Sequence, residues 1–452
     1  MPLDVTIPKN AGTVPAYASR AVRQTAILAD SPTGREPLLT LGLAAVLIFA
    51  VLAFGSFDPW AIAVLEASSA VLFLFWIWPQ IDSGGFRLRG NPLYAPAALF
   101  GLLIVVQLVS GLSAYRHATR EELWKYIAYG MLLLLASQLH RDCAQRLLTI
   151  LAAFGSLVAL FALFQYLTYN GKIYWFWPAV PTSFGPYANY NHYAGLMEML
   201  TPISLAMALA ECTRRYLQFL WILGGMLMAA TIFICGSRGG MIAFIVQIIL
   251  LAGFSVARMG RRAVWSLVAL CLLTGSLVSW IGDARMLKKL DSLREPLNPE
   301  VSATRLTIAK DSLAMIPIHP VAGWGLGLFP VVYPQYRSFS TDLLVNQAHN
   351  DYLQALVETG ILGFGCVVWF IVNLYRSGIR NLRVRSRIAK ARVLGPLVGC
   401  TGLLVHSFSD FNLHIAANAA LFFALCGIAS AKVDRGYALE IVFGPYNWEL
   451  EI

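Results

Sequence analysis

The sequence predicts an all-α, polytopic integral membrane protein with about twelve transmembrane helices, and three observations predict it. Of its 452 residues, 58% are hydrophobic and 13% are charged, whereas a soluble domain is roughly 25% charged. Apolar runs of about 17–25 residues recur along most of the chain, each long enough to cross a hydrocarbon core of roughly 30 Å. These runs are continuous rather than alternating, so they fit helices, whose backbone groups bond internally, and not the strands of a membrane barrel. The same composition excludes a water-soluble enzyme and a disordered chain.

Hydrophobic windows place the spans at 38–54, 60–79, 93–113, 124–138, 146–168, 192–210, 217–235, 239–257, 263–282, 352–375, 394–409 and 413–431. With the N-terminus inside, alternate loops collect 22 of the 34 Lys and Arg residues, as the positive-inside rule requires. Residues 1–36 then form a cytoplasmic N-terminal tail, 37–282 the first nine spans and 283–351 a large periplasmic loop. Spans ten to twelve occupy 352–432, and 433–452 is a cytoplasmic C-terminal tail. The formal charge of +10 is accounted for by topology and contact with anionic membrane lipids, with no nucleic acid partner. Seven cysteines without a CxxC pair argue against a disulfide framework or a zinc site, and neither metal nor cofactor is expected.

The chemistry-bearing residues gather at the expected outer face. Tyr174-Trp175-Phe176-Trp177 precedes GPYANYNHYAG, where Asn189, Asn191 and His192 stand among tyrosines just before a helix. This is an aromatic belt with helix caps, or a shelf for sugar faces and hydroxyls. Ser237-Arg238-Gly239-Gly240 joins two apolar runs with almost no loop. A guanidinium at the membrane boundary is costly without a partner, and its planar fork suits a lipid phosphate. In the long loop, 300–316 has helical spacing and would project Arg305 and Lys310. The Gly-rich PVAGWGLG that follows reads as a turn. His349-Asn350-Asp351 opens the tenth span, with Asn350 or Asp351 as its cap and an imidazole suited to proton transfer near neutral pH. The turn HSFSDFNLH, with His406, Asp410 and His414, reads as a polar buttress or, less readily, a metal site. Glu66 and Glu198 lie inside spans, where carboxylates are expensive.

Four segments in order, GPYANYNHYAG, SRGG, the stretch from TRLTIAKDSLAMIPIHPVAGWGLG to HNDYLQALVETGILG, and HSFSDFNLHIAANAALF, resemble the O-antigen ligase and polymerase family. Pilin-type protein O-oligosaccharyltransferases are related to it. The resemblance covers roughly residues 180–430. It implies a lipid-donor (GT-C-like) glycosyltransferase of the bacterial inner membrane, metal-independent and inverting. The donor would be a glycan on undecaprenyl diphosphate, and the acceptor lipid A-core or another glycan. By matching motifs it implies Arg238 and Arg305 on the diphosphate and His349 at the reacting centre. Asn189, Asn191, His192, Ser237, Asn350 and Asp351 would line the substrate. A polymerase and a protein oligosaccharyltransferase are the nearest alternatives. A secondary transporter or flippase, from another class, would place charges deep in the bundle and break helices near mid-span.

Overall fold

The computed structural model describes residues 34–82, 85–210, 214–258, 275–276, 299–340, 345–432, 439–443 and 448–451. The predicted span at 263–282 lies outside the described residues apart from 275–276. The other eleven predicted spans each fall on a helix. In chain order these are α1 (Glu36–Leu52), α2 (Pro59–Asp82), α3 (Tyr94–Val109), α4 (Arg116–Gln138), α5 (Arg141–Leu167) and α6 (Tyr190–Ala210). They continue with α7 (Arg215–Cys235) and α8 (Arg238–Arg258), then α9 (Pro299–Met315) in the long loop, α10 (Asp351–Asn381), α11 (Arg387–His406) and α12 (Ala416–Ser430). Six of these helices are long and apolar enough to cross a membrane by length and composition: α2, α5, α6, α7, α10 and α11. Others, such as α1, α3 and α12, are apolar but shorter.

Helix α6 is the axis of the bundle, because almost every residue from Asn191 to Leu209 is buried. Helices α7, α8 and α11 pack around it. Small residues allow the approach: a Cβ on Gly399 would strike the Met199 backbone, and one on Gly395 would stand 2.8 Å from Ile203 Cα. Close packing of small residues is how helices associate where lipid removes the hydrophobic drive.

The chain is not purely helical. Strand β1 (Gly85–Leu88) pairs antiparallel with β4 (Leu439–Phe443), which pairs with β5 (Trp448–Glu451); β2 (Lys172–Ile173) and β3 (Trp177–Pro178) form a small hairpin. The stretch read as a C-terminal tail therefore includes two strands docked onto the loop that follows α2. Their apolar-polar alternation is too short to stand out beside twenty-residue apolar runs.

Helix α10, read as continuous from the sequence, is broken at Gly360 (φ 61, ψ −166). The turn Pro320–Gly327 occupies the break. Ile361 and Leu362 donate to Pro320 O and Val321 O at 2.9 and 3.2 Å, while Trp324 N and Gly325 N donate to Val357 O and Glu358 O at 3.1 and 2.9 Å. From α3, Gln107 Nε2 donates to Ala322 O at 2.6 Å and Glu358 O at 3.0 Å. The backbone groups that the break frees thus find partners, the condition for irregular backbone at membrane depth. Glu358 completes the join by accepting from Gly327 N and Phe329 N at 2.9 and 3.0 Å. The break lies about 14 Å along the helix from Asp351 at 1.5 Å per residue, nearer the middle of the helix than its loop end. A turn of the chain fills it, which is not the open broken helix of a transporter.

A Cβ at Gly360 would meet the Val321 backbone, and its φ is one that side chains rarely adopt. Gly360→Ala is therefore expected to lower the melting temperature of the detergent-solubilised protein by several degrees. Gly365→Ala in the same helix, where a Cβ meets open space, serves as the control and leaves it unchanged or higher.

Candidate functional site

The turn between α11 and α12 forms the floor of the site. His406 ends α11, and its carbonyl accepts from Ser409 N and Asp410 N at 2.9 and 3.1 Å. Asp410 Oδ1 accepts from Phe411 N at 2.9 Å. This local bonding fixes the Asp410 carboxylate, which is 1% exposed, beneath two cationic side chains. Arg305 from α9 reaches over it: Nη1 donates to Ser409 O at 2.9 Å, and Nη2 stands 3.9 Å from Asp410 Oδ2. His349 places Nδ1 3.7 Å from Asp410 Oδ1, an ion-pair distance longer than a hydrogen bond.

His349 holds a left-handed backbone (φ 51), which costs a residue other than glycine on the order of 1–3 kcal/mol. Asn350 follows it as the N-cap of α10, accepting from Tyr352 N and Leu353 N at 3.1 and 3.0 Å. The αL residue turns the chain from the loop into the helix and aims the imidazole at Asp410. Phe411 lies between His349 and His192, meeting each ring edge-on at 5.0 and 4.8 Å.

Arg238 opens α8 on the same wall. Ser237 Oγ caps that helix by accepting from Gly240 N at 3.2 Å. The glycines after Arg238 permit the contact: a Cβ on Gly239 would collide with the His406 ring and stand 2.8 Å from Ser409 Oγ, and one on Gly240 would stand 2.9 Å from Glu198 Oε1. Tyr190, at the start of α6, lies within electrostatic reach of Arg305, Asp410 and Arg238. The two arginines named from sequence, 67 residues apart, therefore share one neighbourhood with His349.

Beneath that wall, His406 Nδ1 and Glu198 Oε1 are 2.9 Å apart, 1% and 0% exposed. A second pair includes the first residue of α10. Asp351 Oδ1 meets His414 Nδ1 at 2.8 Å, and Asp351 Oδ2 accepts from Ser407 Oγ at 2.6 Å and Leu413 N at 3.2 Å.

Burial alone would raise the Asp410 carboxyl, but the neighbouring His349 and the charges of His192 and His406 outweigh it and hold the group well below the usual carboxylate range. Burial alone would lower His414, and its bond to Asp351 outweighs that and raises it. Among the described residues, seven buried side-chain atoms have no hydrogen-bond partner, and five lie in this region: His192 Nε2, Glu198 Oε2, His349 Nδ1, Asp410 Oδ2 and Asn412 Nδ2. Such atoms are rare in folded chains, and they concentrate where a structure is built for more than packing.

Several residues expected to line the substrate have partners within the scaffold. The side chains of Asn189, Ser237 and Asn350 act as helix caps, Asn189 Oδ1 accepting from Asn191 N at 2.8 Å. Asp351 is bound to His414 and Ser407. Lys310 is exposed while Arg305, on the same helix, turns to the Asp410 turn. The aromatic run 174–177 forms the hairpin turn, whose rings pack on Phe54 and on Phe161 and Phe164 of α5. His406, Asp410 and His414 do not converge: each histidine is committed to a different carboxylate, and no group of three metal-ligating side chains occurs among the described residues. Sequence reasoning left Asp410 and the Glu198–His406 pair in the background. The available signal was a carboxylate and a histidine at membrane depth, each needing a partner.

The O-antigen ligase family model matches residues 223–368. Over that segment, about a third of the chain, the sequence is similar to the O-antigen ligase family. That segment runs from α7 through α8, α9 and the 320–327 turn into α10, so it holds Arg238, Arg305 and His349. The match supports a glycan-transferring, ligase-type role for this membrane protein. Glu198, His406 and Asp410, the groups against which residues of the matched segment pack, come from outside it. No curated protein matches the chain.

Proposed function

We propose that this protein transfers a glycan from an undecaprenyl diphosphate carrier to an acceptor hydroxyl at the periplasmic face of the inner membrane, without a metal and with inversion. The observation that carries this reading is the convergence of Arg305, His349 and the neighbourhood of Arg238 on one buried carboxylate, Asp410.

The chemistry needs few groups. The acceptor oxygen attacks the anomeric carbon, the bond from that carbon to the diphosphate oxygen breaks, and the electron pair leaves with the diphosphate. Negative charge grows on the leaving group, where fixed guanidinium donors in a site poor in water stabilise it most. Arg238, on a bundle helix, and Arg305, on the loop helix, grip that group from two elements. His349 faces Asp410 through Nδ1, which leaves Nε2 to take the acceptor proton. Asp410 stabilises the imidazolium that results, as a buried carboxylate does for a general-base histidine. A single displacement inverts the anomeric configuration. Lipid A-core is the acceptor this reading favours.

The test is purified protein in vesicles, given an undecaprenyl diphosphate-linked oligosaccharide and candidate acceptors, with the product analysed. A glycosidic product that persists in chelator is expected. Arg238→Lys is expected to lower transfer by about tenfold or more, because a point charge does not reproduce a bidentate fork. Arg305→Ala should weaken donor binding as well. Ion exchange across the vesicle with no glycosidic product would overturn the reading.

A further inference from the structure

An elongated cavity of about 520 Å³ lies between α3, α4, α10 and α12. It is almost wholly apolar, lined by residues such as Phe100, Tyr126, Leu134, Phe370 and Phe423. Along α10 its lining runs from Asp351 to Ile371, a rise of roughly 30 Å, the thickness of a hydrocarbon core. A slot of that length and polarity fits a hydrocarbon chain better than a sugar. Its lining includes Leu404 of α11 but no residue of α6, α7 or α8, so the slot does not adjoin the helix that Arg238 opens. One end reaches Asp351 and His414, two residues from His349.

Helix α4 continues the slot beyond that end. Leu123, Ile127, Gly130 and Leu134 line the cavity, and at helical spacing the same stripe carries Arg116 and Arg120, both exposed. Thr119, beside Arg120, donates to Leu326 O at 2.9 Å, which fixes this as the end of α4 at the long loop. Arg116 and Arg120, in the first two turns, oppose the helix dipole, and Tyr115 makes no side-chain cap. Glu121, which follows them, lies 3.1 Å from His117 Nε2, and Glu122 is paired with Lys125. Three basic side chains, Arg116, Arg120 and Lys125, thus face two acidic ones at this end of α4. An apolar slot topped by cationic groups is complementary to one class of ligand, an anionic lipid.

We propose that this slot is the site of a second, phosphate-bearing lipid, the lipid-anchored acceptor, with its chain against α4 and α10 and its headgroup phosphate at Arg116 and Arg120. The identification of that lipid as the acceptor rests on the transferase reading above; the lipid site itself does not. Donor and acceptor then enter the His349 centre from different flanks, and two lipid-anchored substrates meet without competing for one groove.

Gly101 and Gly130 line the slot, and a Cβ on either meets open space, so Gly101→Phe and Gly130→Phe fill it without displacing a neighbour. The probe is phosphatidic acid with a diazirine in its acyl chain, photolysed with the full-length protein in phosphatidylcholine vesicles and mapped by peptide mass spectrometry. Labelling is expected on α4, α10 and α12, competed by phosphatidic acid and not by further phosphatidylcholine. It should fall at least fivefold in Gly130→Phe and in Arg116→Gln/Arg120→Gln. In the transfer assay, Gly130→Phe should raise KM for a lipid-anchored acceptor and leave KM for a short-chain, soluble acceptor and for the donor unchanged. Labelling spread evenly over lipid-facing helices and insensitive to these variants would overturn the site. Competition by polyprenyl diphosphate would overturn it as an acceptor site. Specific labelling without any glycan transfer would sink the transferase reading, and the acceptor assignment with it, and leave the phosphate-lipid site standing.

Discussion

Asp410→Asn is expected to reduce glycan transfer by at least a hundredfold while the protein still inserts and folds. Asparagine keeps the shape of the side chain and an oxygen to accept from Phe411 N, a bond of 2.9 Å in the native chain. What it removes is the charge that faces Arg305 Nη2 at 3.9 Å and His349 Nδ1 at 3.7 Å. General-base assistance contributes about 10²–10⁴ in rate, and a histidine without its anionic partner loses much of that. Arg305 keeps its bond to Ser409 O and loses only a competitor for the diphosphate. The expected signature is therefore a fall in kcat with the donor KM unchanged or lower, opposite to Arg305→Ala.

The pH dependence follows from the direction of the shift. A carboxyl held below its ordinary value near 3.8 contributes stability that is present above that value and lost only as pH falls through the lower folded value. Asp410 thus stays charged between pH 5 and 8, and transfer over that range shows no carboxylate titration from it. An Asp410→Asn rate within threefold of the native rate would remove Asp410 from the proposed chemistry.

Eleven helices were legible because an apolar run of span length is a strong one-dimensional signal, and Arg238, Arg305 and His349 stood out because they fall in recognisable local motifs. What stayed hidden is three-dimensional. Asp410 sits in a turn whose letters suit a metal ligand, a cap or a buttress, and only the reach of α9 across it identifies its partners. Glu198 and His406 are 208 positions apart, so each alone reads as a residue at membrane depth without a reason. The break at Gly360 was masked because hydropathy does not change across it, although a Gly-rich turn some 35 residues earlier supplies the bonds that permit it. The strands β4 and β5 were missed because short alternation next to a long apolar helix carries little weight.

The Glu198–His406 pair gives the second large effect, on stability before activity. Both side chains are essentially inaccessible, joined at 2.9 Å, and removing one partner of such a pair costs about 3–5 kcal/mol because the other is left buried and uncompensated. Glu198→Ala and His406→Ala are each expected to lower the melting temperature steeply and to reduce the yield of folded protein. Transfer should fall with them, because the His406 ring is the surface against which Gly239, next to Arg238, is seated. The double variant Glu198→Gln/His406→Gln replaces the ion pair by a neutral amide pair that can still bond, and it should recover most of the lost stability. Neither native side chain opens to the site, so transfer should recover in step with stability. Recovery of the melting temperature with transfer still lost would mean that the pair moves a proton, and would place a second acid–base group beneath the arginines.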